Sequence, residues 1–215
     1  MNAVVLLSGG LDSTVCLKKA VDERVAQLAL TFDYGQKAAA REIAAARRIC
    51  RRLKVKHQVV NLGWMAQVGK SALVAPNAKV PKLDACTDST ILQKAAREVW
   101  VPNRNGVFVN VAAAYAESLG FDTVIAGFNR EEAEVFPDNS VQYMAAANAA
   151  LRFSTLCGIN LESYTAYLSK KEIVRLGREI GAPLDLVWYC YLGGRQPCGH
   201  CQSCVSYRKA VEAFR

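Results

Sequence analysis

Ser8-Gly9-Gly10-Leu11-Asp12-Ser13-Thr14 is the stretch on which the fold turns. It follows the apolar run Ala3-Val4-Val5-Leu6-Leu7 and precedes Val15-Cys16-Leu17-Lys18-Lys19-Ala20, which reads as a helix. The run before it is continuously apolar, as a central parallel strand buried on both faces should be. The order is therefore strand, glycine turn, helix. Two adjacent glycines let the backbone approach a ligand with no Cβ in the way. The first N–H groups of the helix lack intrahelical partners, and the helix dipole favours an anion beside them. Ser8, Ser13 and Thr14 add hydroxyls. The expected ligand is a phosphate group.

A Walker A loop needs a Lys after its last glycine, and a dinucleotide fingerprint needs Gly-x-Gly-x-x-Gly. Neither is present around Gly9 and Gly10. Ser-Gly-Gly-x-Asp-Ser instead resembles the PP-loop of the ATP pyrophosphatase superfamily. That resemblance implies a grip on the β,γ-pyrophosphate of ATP, cleavage between the α and β phosphates, and Mg²⁺ positioned by Asp12. It adds Leu7 and Leu11 to the nucleotide contacts.

Outward from the loop, the chain alternates strands and helices. A second strand, Val25 to Phe32, ends in Asp33-Tyr34-Gly35-Gln36; a helix spans Lys37 to Leu53, and a third strand runs from Val55 to Leu62. This pattern predicts a parallel sheet with right-handed crossovers. Ligands of such sheets sit beyond the strand carboxyl ends, where strand order reverses. Phe32, Tyr34 and Gln36 are thus candidates for the nucleoside, with plain turn chemistry as the other explanation. Residues 63–98 carry Pro76, Pro81 and Cys86 without clean periodicity and read as a short helix plus a lid or binding loop. Trp64 and Trp100 flank it as packing anchors. An apolar helix follows from Gly106, with Arg104 and Asn105 just ahead of it. Arg104 suits a carboxylate or a phosphate; Asn105 suits either a ligand or the helix cap. A fourth strand is expected over Phe121 to Gly127, ending in Phe128-Asn129. An acidic loop, a helix from Val141 to Leu156 and a fifth strand from Leu161 to Leu168 come next. Ser169 then caps a helix, with Glu172 three residues on. Capping requires no lysine, so Lys170 is free to reach the polyphosphate or the acceptor.

At 215 residues and 52% hydrophobic content, a sizeable core fits. The reading is a Rossmann-like, adenine nucleotide alpha hydrolase-like α/β domain over residues 1–185, with a five-stranded parallel sheet covered by helices. Residues 186–215 form a small metal-binding appendage and a helix packed on it. No apolar run reaches the ~18 residues of a bilayer span, and no signal sequence is visible, so a cytoplasmic chain is expected. The net charge of +8 is concentrated in Arg41, Arg47, Arg48, Arg51, Arg52, Lys54 and Lys56. No aromatic residues interleave these cations, which disfavours a nucleic-acid platform and suits a solvated face or a field that attracts anionic substrates.

Eight cysteines in such a chain suggest thiols or metal ligands. Cys190, Cys198, Cys201 and Cys204 sit in a glycine- and proline-rich stretch that cannot build its own core. Four thiolates suit a structural Zn²⁺; an iron–sulfur cluster is the competing occupant. Cys16, Cys50, Cys86 and Cys157 read as small core residues.

The loop and the cysteines together resemble the 7-cyano-7-deazaguanine synthase family of queuosine and archaeosine biosynthesis. The resemblance rests on residues 8–14, on Phe-Asp-Tyr-Gly-Gln at 32–36, and on Val-Pro-x-Arg-Asn at 101–105. It extends to Pro137-Asp138, Ser-Lys-x-Glu-Ile at 169–173, and the cysteine stretch 190–204. It implies ATP with Mg²⁺, one Zn²⁺ per chain, a homodimer, and adenylylation of 7-carboxy-7-deazaguanine before ammonia attacks. Asp12, Ser13 and Lys170 become the catalytic candidates, and Arg104, Asn105, Asn129, Phe136 and Asp138 the acceptor contacts. Two departures stand out: Asn103 replaces the family's glycine, and Asn139-Ser140 replaces its Cys-Arg. Two other classes fit parts of the pattern, namely a tRNA-modifying PP-loop enzyme and a non-catalytic zinc adaptor on a nucleotide fold.

Overall fold

The computed structural model describes residues 1–84 and 88–214. Five strands form one parallel sheet: β1 (Ala3–Leu6), β2 (Ala26–Asp33), β3 (Lys56–Asn61), β4 (Thr123–Ile125) and β5 (Asn160–Glu162), in the order β3-β2-β1-β4-β5. The order reverses at β1, where Val5 lies between Ala29 and Ile125. The glycine turn therefore sits at the switch point, as the crossover rule demands. Ala3, Val4 and Val5 are fully buried because helices cover both faces of the sheet.

The helices are α1 (Leu11–Asp22), α2 (Ala39–Leu53), α3 (Trp64–Val68), α4 (Ser89–Val99), α5 (Arg104–Ser118), α6 (Arg130–Ala133), α7 (Val141–Ser154), α8 (Lys170–Glu179) and α9 (Gln202–Glu212). One core layer joins Val4, Leu30 and Val124 to Val109, Ala112 and Ala116 of α5 and Leu151 of α7. The opposite layer joins Val5, Leu7 and Ile125 to Cys16 and Leu17 of α1 and to Ile49 and Cys50 of α2. A third cluster packs α8 against α1 and α9 through Val15, Ile173, Val174 and Ala210. No helix among the described residues is long and apolar enough to cross a membrane.

Several expectations need correction. The fifth strand covers Asn160–Glu162, not Leu161 to Leu168. The Ser163 and Thr165 hydroxyls both donate to the Phe128 carbonyl, at 3.1 and 2.6 Å, and bend the chain into a turn. The fourth strand loses Phe121 because its N–H goes back to the Ala116 carbonyl at the end of α5. Asn105 is the second residue of α5 rather than its cap. Asn103 takes the cap position with φ +53°. The family's glycine at this position therefore meets a left-handed requirement, which asparagine also tolerates. Trp64 is half exposed, whereas Trp100 stacks on Phe136. Cys16 and Cys50 are core residues, but Cys157 is exposed. Cys86 lies outside the described residues.

Ser169 caps α8 in a full capping box: its hydroxyl accepts from the Glu172 N–H, and the Glu172 carboxylate accepts from the Ser169 N–H at 2.8 Å. The cap also fixes Lys170 as the first residue of the helix. Ser169→Ala is expected to cost about 1 kcal/mol, read as a lower urea midpoint with an unchanged slope.

Candidate active site

A cavity of about 230 Å³ opens at the carboxyl ends of β1, β2 and β4. Leu7, Ser8, Gly10, Leu11, Asp12 and Ser13 form one side of it. No side chain among the described residues caps α1; α2, α3, α5 and α9 likewise lack side-chain caps, whereas α4, α6, α7 and α8 have them, and of the uncapped ends that of α1 follows the glycine turn at the switch point. Its first-turn N–H groups are thus left for a ligand. Ser8 is drawn back into the loop: the Ser8 and Ser13 hydroxyls lie 3.0 Å apart, and the Gly10 N–H donates to the Ser8 hydroxyl. Gly9 and Thr14 do not line the cavity. Gly9, at φ +78°, presses on α2, where a Cβ would meet the Glu42 carbonyl at 2.7 Å. The Thr14 hydroxyl donates to the Gly10 carbonyl at 2.6 Å. Both hold the turn in shape.

Lys170 crosses the cavity floor. Its ammonium is 2.5 Å from Asp12 Oδ2 and 2.7 Å from Glu132 Oε1, and its side chain is only 12% exposed. The two carboxylates hold its pKa far above the usual lysine range, outweighing the burial that would lower it. Burial pushes the Asp12 carboxyl up, against the pull of Lys170. Asp12 Oδ1 is buried and has no hydrogen-bond partner among the described residues. An orphaned carboxylate oxygen lining a cavity is a fitting ligand for a divalent cation, so Asp12 fits the Mg²⁺ that the PP-loop resemblance implies. Asn129 is fully buried and does not line the cavity. Its side chain accepts from the Glu132 N–H at 2.9 Å, so it caps α6 and aims Glu132 at Lys170.

Arg104 enters from the amino end of α5. Its guanidinium donates to the Tyr34 hydroxyl at 3.3 Å and lies over the Tyr34 ring. It forms no ion pair among the described residues, although Asp138 lines the same cavity. Burial alone would lower its pKa; Tyr34 and Asp138 nearby raise it, so it stays charged. A half-buried guanidinium with no ion-pair partner among the described residues favours an anionic ligand. Asn105 donates to the Asp138 carbonyl at 3.4 Å. Phe32, Tyr34 and Gln36 line the β2 side, where Phe32 stacks on Phe108 with centroids 4.3 Å apart. Gln36 donates to Glu42 at 2.7 Å.

Glu42, Glu132, Trp100, Trp188 and Tyr191 also line the cavity, and the sequence pattern singled out none of them for it. Glu132 had only its acidic loop as a signal, and Glu42 is one acid in a basic helix. The exposed cations Arg47, Arg48, Arg51, Arg52, Lys54 and Lys56 lie elsewhere, on the outer surface of α2 and β3. Arg41 is half-buried, with its guanidinium over the Trp188 ring.

The carboxyl-terminal segment docks beside the loop. The Trp188 N–H donates to the Gly9 carbonyl at 2.8 Å, and the Leu83 N–H to the His200 carbonyl at 2.7 Å. Cys190, Cys198, Cys201 and Cys204 place their sulfurs within 4.8 Å of one another. Cys198 and Cys204 sulfurs are 3.9 Å apart, against about 3.8 Å for two thiolates on one tetrahedral zinc. Backbone N–H groups of Leu192 and Cys198 donate to the Cys190 sulfur, and that of Cys201 to the Cys198 sulfur. Such donors suit thiolates. The set fits a metal ion.

Comparison with known proteins agrees with this geometry. The chain is 51% identical to the 7-cyano-7-deazaguanine synthase of Desulforudis audaxviator over 214 residues, which is 98% of this chain and 96% of that one. It is 45% identical to that of Pelotomaculum thermopropionicum (99% and 97%) and 41% identical to that of Methanosarcina mazei (99% and 94%). Among solved structures, an NMN synthetase from Francisella tularensis shares the fold at 18% identity and a TM-score of 0.53, covering 99% of this chain and 76% of that one. A 4-thiouridine synthetase, solved with RNA and bound ATP, does so at 18% and 0.52, covering 98% and 50%. The family model described as queuosine biosynthesis protein QueC matches residues 2–215, and the chain belongs to that family.

Proposed function

We propose that this protein is a 7-cyano-7-deazaguanine synthase, a C–N bond-forming ligase. It would convert 7-carboxy-7-deazaguanine, ammonia and ATP into the nitrile, AMP and pyrophosphate. The observation that carries the proposal is one cavity holding three features: an uncapped helix end for a polyphosphate, a charged Lys170 beside it, and an unpaired Arg104 facing them.

A carboxylate is a poor electrophile because its leaving group would be oxide. In the proposed path its oxygen attacks the α-phosphorus of ATP, and pyrophosphate leaves. Ammonia then attacks the acyl carbon, AMP leaves, and the amide loses a proton. The amide oxygen repeats the attack on a second ATP with release of pyrophosphate, and loss of AMP and of both protons of the amide nitrogen leaves the nitrile. No enzyme nucleophile is needed. The residues position reactants and stabilise charge. Ser8, Gly10, Leu11, Asp12 and Ser13 receive the pyrophosphate, with Gly9 and Thr14 shaping the turn. Leu7, Phe32, Tyr34 and Gln36 take the nucleoside. Arg104 orients the acid, with Asn105, Phe136 and Asp138 around it, while Asn129 acts through Glu132. Lys170 sits where negative charge builds up between acid and triphosphate. Asp12 would hold Mg²⁺, which supplies charge neutralisation for the departing pyrophosphate.

The second departure from the family pattern reaches the cavity at Asn139, which lines it and donates to Asp138. Ser140 is not part of the lining, and its hydroxyl caps α7 by accepting from the Tyr143 N–H. Transfer of the adenylylated acid to a different amine is the second reading. The four cysteines are assigned to one structural Zn²⁺, since the sulfurs surround a single point, whereas cluster thiolates stand on separate irons. No open coordination position remains for catalysis. A homodimer in the cytoplasm completes the proposal. The outer face of α7 supports it, with Ala145, Ala146, Ala149, Ala150 and Phe153 exposed, as is Leu156 just beyond.

Incubation with ATP, Mg²⁺, ammonium and 7-carboxy-7-deazaguanine is expected to yield nitrile and AMP by mass spectrometry. AMP without nitrile would favour another amine acceptor, and ADP would contradict the proposal. Cys198→Ala is expected to lower bound zinc and thermal stability together. Unchanged zinc would refute that ligand.

A further inference from the structure

Four carboxylates line the cavity: Asp12, Glu42, Glu132 and Asp138. Asp12 and Glu132 are both spent on Lys170. Glu42 accepts from Gln36 on the β2 side, beside the residues assigned to the nucleoside. Asp138 stands apart from these. It lies in a 3-10 turn, Pro137–Asn139, between α6 and α7. No cation among the described residues pairs with it. Its Oδ1 accepts from the Asn139 amide at 3.2 Å, and Asn139 is buried and lines the cavity too. The backbone of the turn is tied to α5 by the bond from Asn105 to the Asp138 carbonyl. Beside it, Trp100 and Phe136 stack with centroids 6.0 Å apart and planes within 10°. Both rings line the cavity. The cavity therefore has a flat aromatic wall, an unpaired carboxylate at its edge, and an unpaired guanidinium from α5.

An unpaired carboxylate in a half-buried site calls for donors from the ligand. A ligand that also satisfies Arg104 must carry both an anion and N–H donors. In 7-carboxy-7-deazaguanine the acid is on the five-membered ring, and the ring N–H and exocyclic 2-amino group lie side by side on the far edge of the six-membered ring. Two parallel donors match the two oxygens of one carboxylate. We infer that Asp138 reads the guanine-type edge of the substrate, so that it selects 2-amino purine-like acids over analogues that lack the amino group. Burial raises the Asp138 pKa, and the nearby Arg104 charge opposes that rise. A ligand N–H pair would stabilise the charged form further.

This inference rests on the proposed function, and the test separates the two. Steady-state kcat/KM is measured for 7-carboxy-7-deazaguanine and for its analogue lacking the 2-amino group. The wild-type protein is expected to prefer the first by ~100-fold, the worth of one hydrogen bond to a charged acceptor. In Asp138→Asn the preference is expected to fall below about tenfold, through KM for the acid, with KM for ATP unchanged. If the wild-type protein accepts both acids equally, the inference fails whatever the variant does. The same holds if Asp138→Asn slows both acids by one factor, or if Glu42→Gln removes the preference and Asp138→Asn keeps it. A wild-type protein inactive on 7-carboxy-7-deazaguanine would count against the proposed function instead.

Discussion

The amino end of α1 is held by contacts that tolerate no Cβ at two glycines. At Gly9 the obstacle is the Glu42 carbonyl, and at Gly127 it is the Ser13 backbone nitrogen, 2.6 Å from where a Cβ would stand. The helix start is thereby clamped between α2 on one side and the end of β4 on the other. The clamp leaves the first N–H groups of α1 without a capping side chain, which is a cost to the free protein. Under the proposed function, a polyphosphate would supply the missing acceptors. The free protein is thus built with an unsatisfied donor set at the switch point of its sheet, and the rest of the site is arranged around that set.

The charges of the cavity follow the same logic. Lys170 and Asp12 face each other on different helices, α8 and α1, and Glu132 joins them from α6. This ion triad ties three separate segments together at the point where ligand phosphates would enter. Truncating one partner would leave a buried charge uncompensated, which is far costlier than the pair is worth. Arg104 is the opposite case, a charge the fold leaves unpaired. The carboxyl-terminal cysteine segment closes the wall, since Trp188 binds the Gly9 carbonyl while Tyr191 lines the cavity. The cysteine cluster and the glycine loop are therefore neighbours in space although they are far apart in sequence.

The sequence made some of this legible and not the rest. Residues 3–14 could be read because strand, glycine turn and helix are local, and each depends on a few adjacent residues. The cysteines could be read because ligand spacing is local as well. The ends of β4 and β5 could not, because side-chain hydroxyls at Ser163 and Thr165 compete for the Phe128 carbonyl only once the sheet has formed. Glu132 and Glu42 meet the cavity through tertiary packing alone, and an acidic loop or a basic helix gives no hint of it. Asn103 looked like a departure from a motif, and its left-handed backbone makes it a conservative one. Asn129 was legible as a residue at a strand end, yet its role is to orient Glu132 rather than to line the cavity.

The central claim is that an acid oxygen attacks the innermost phosphorus of a triphosphate lying against α1. Tracing ¹⁸O from a doubly labelled carboxylate tests it most directly. The account requires both labels to leave in AMP, one in each of the two AMP molecules formed per nitrile. Label in pyrophosphate or orthophosphate, or AMP free of label, would contradict it.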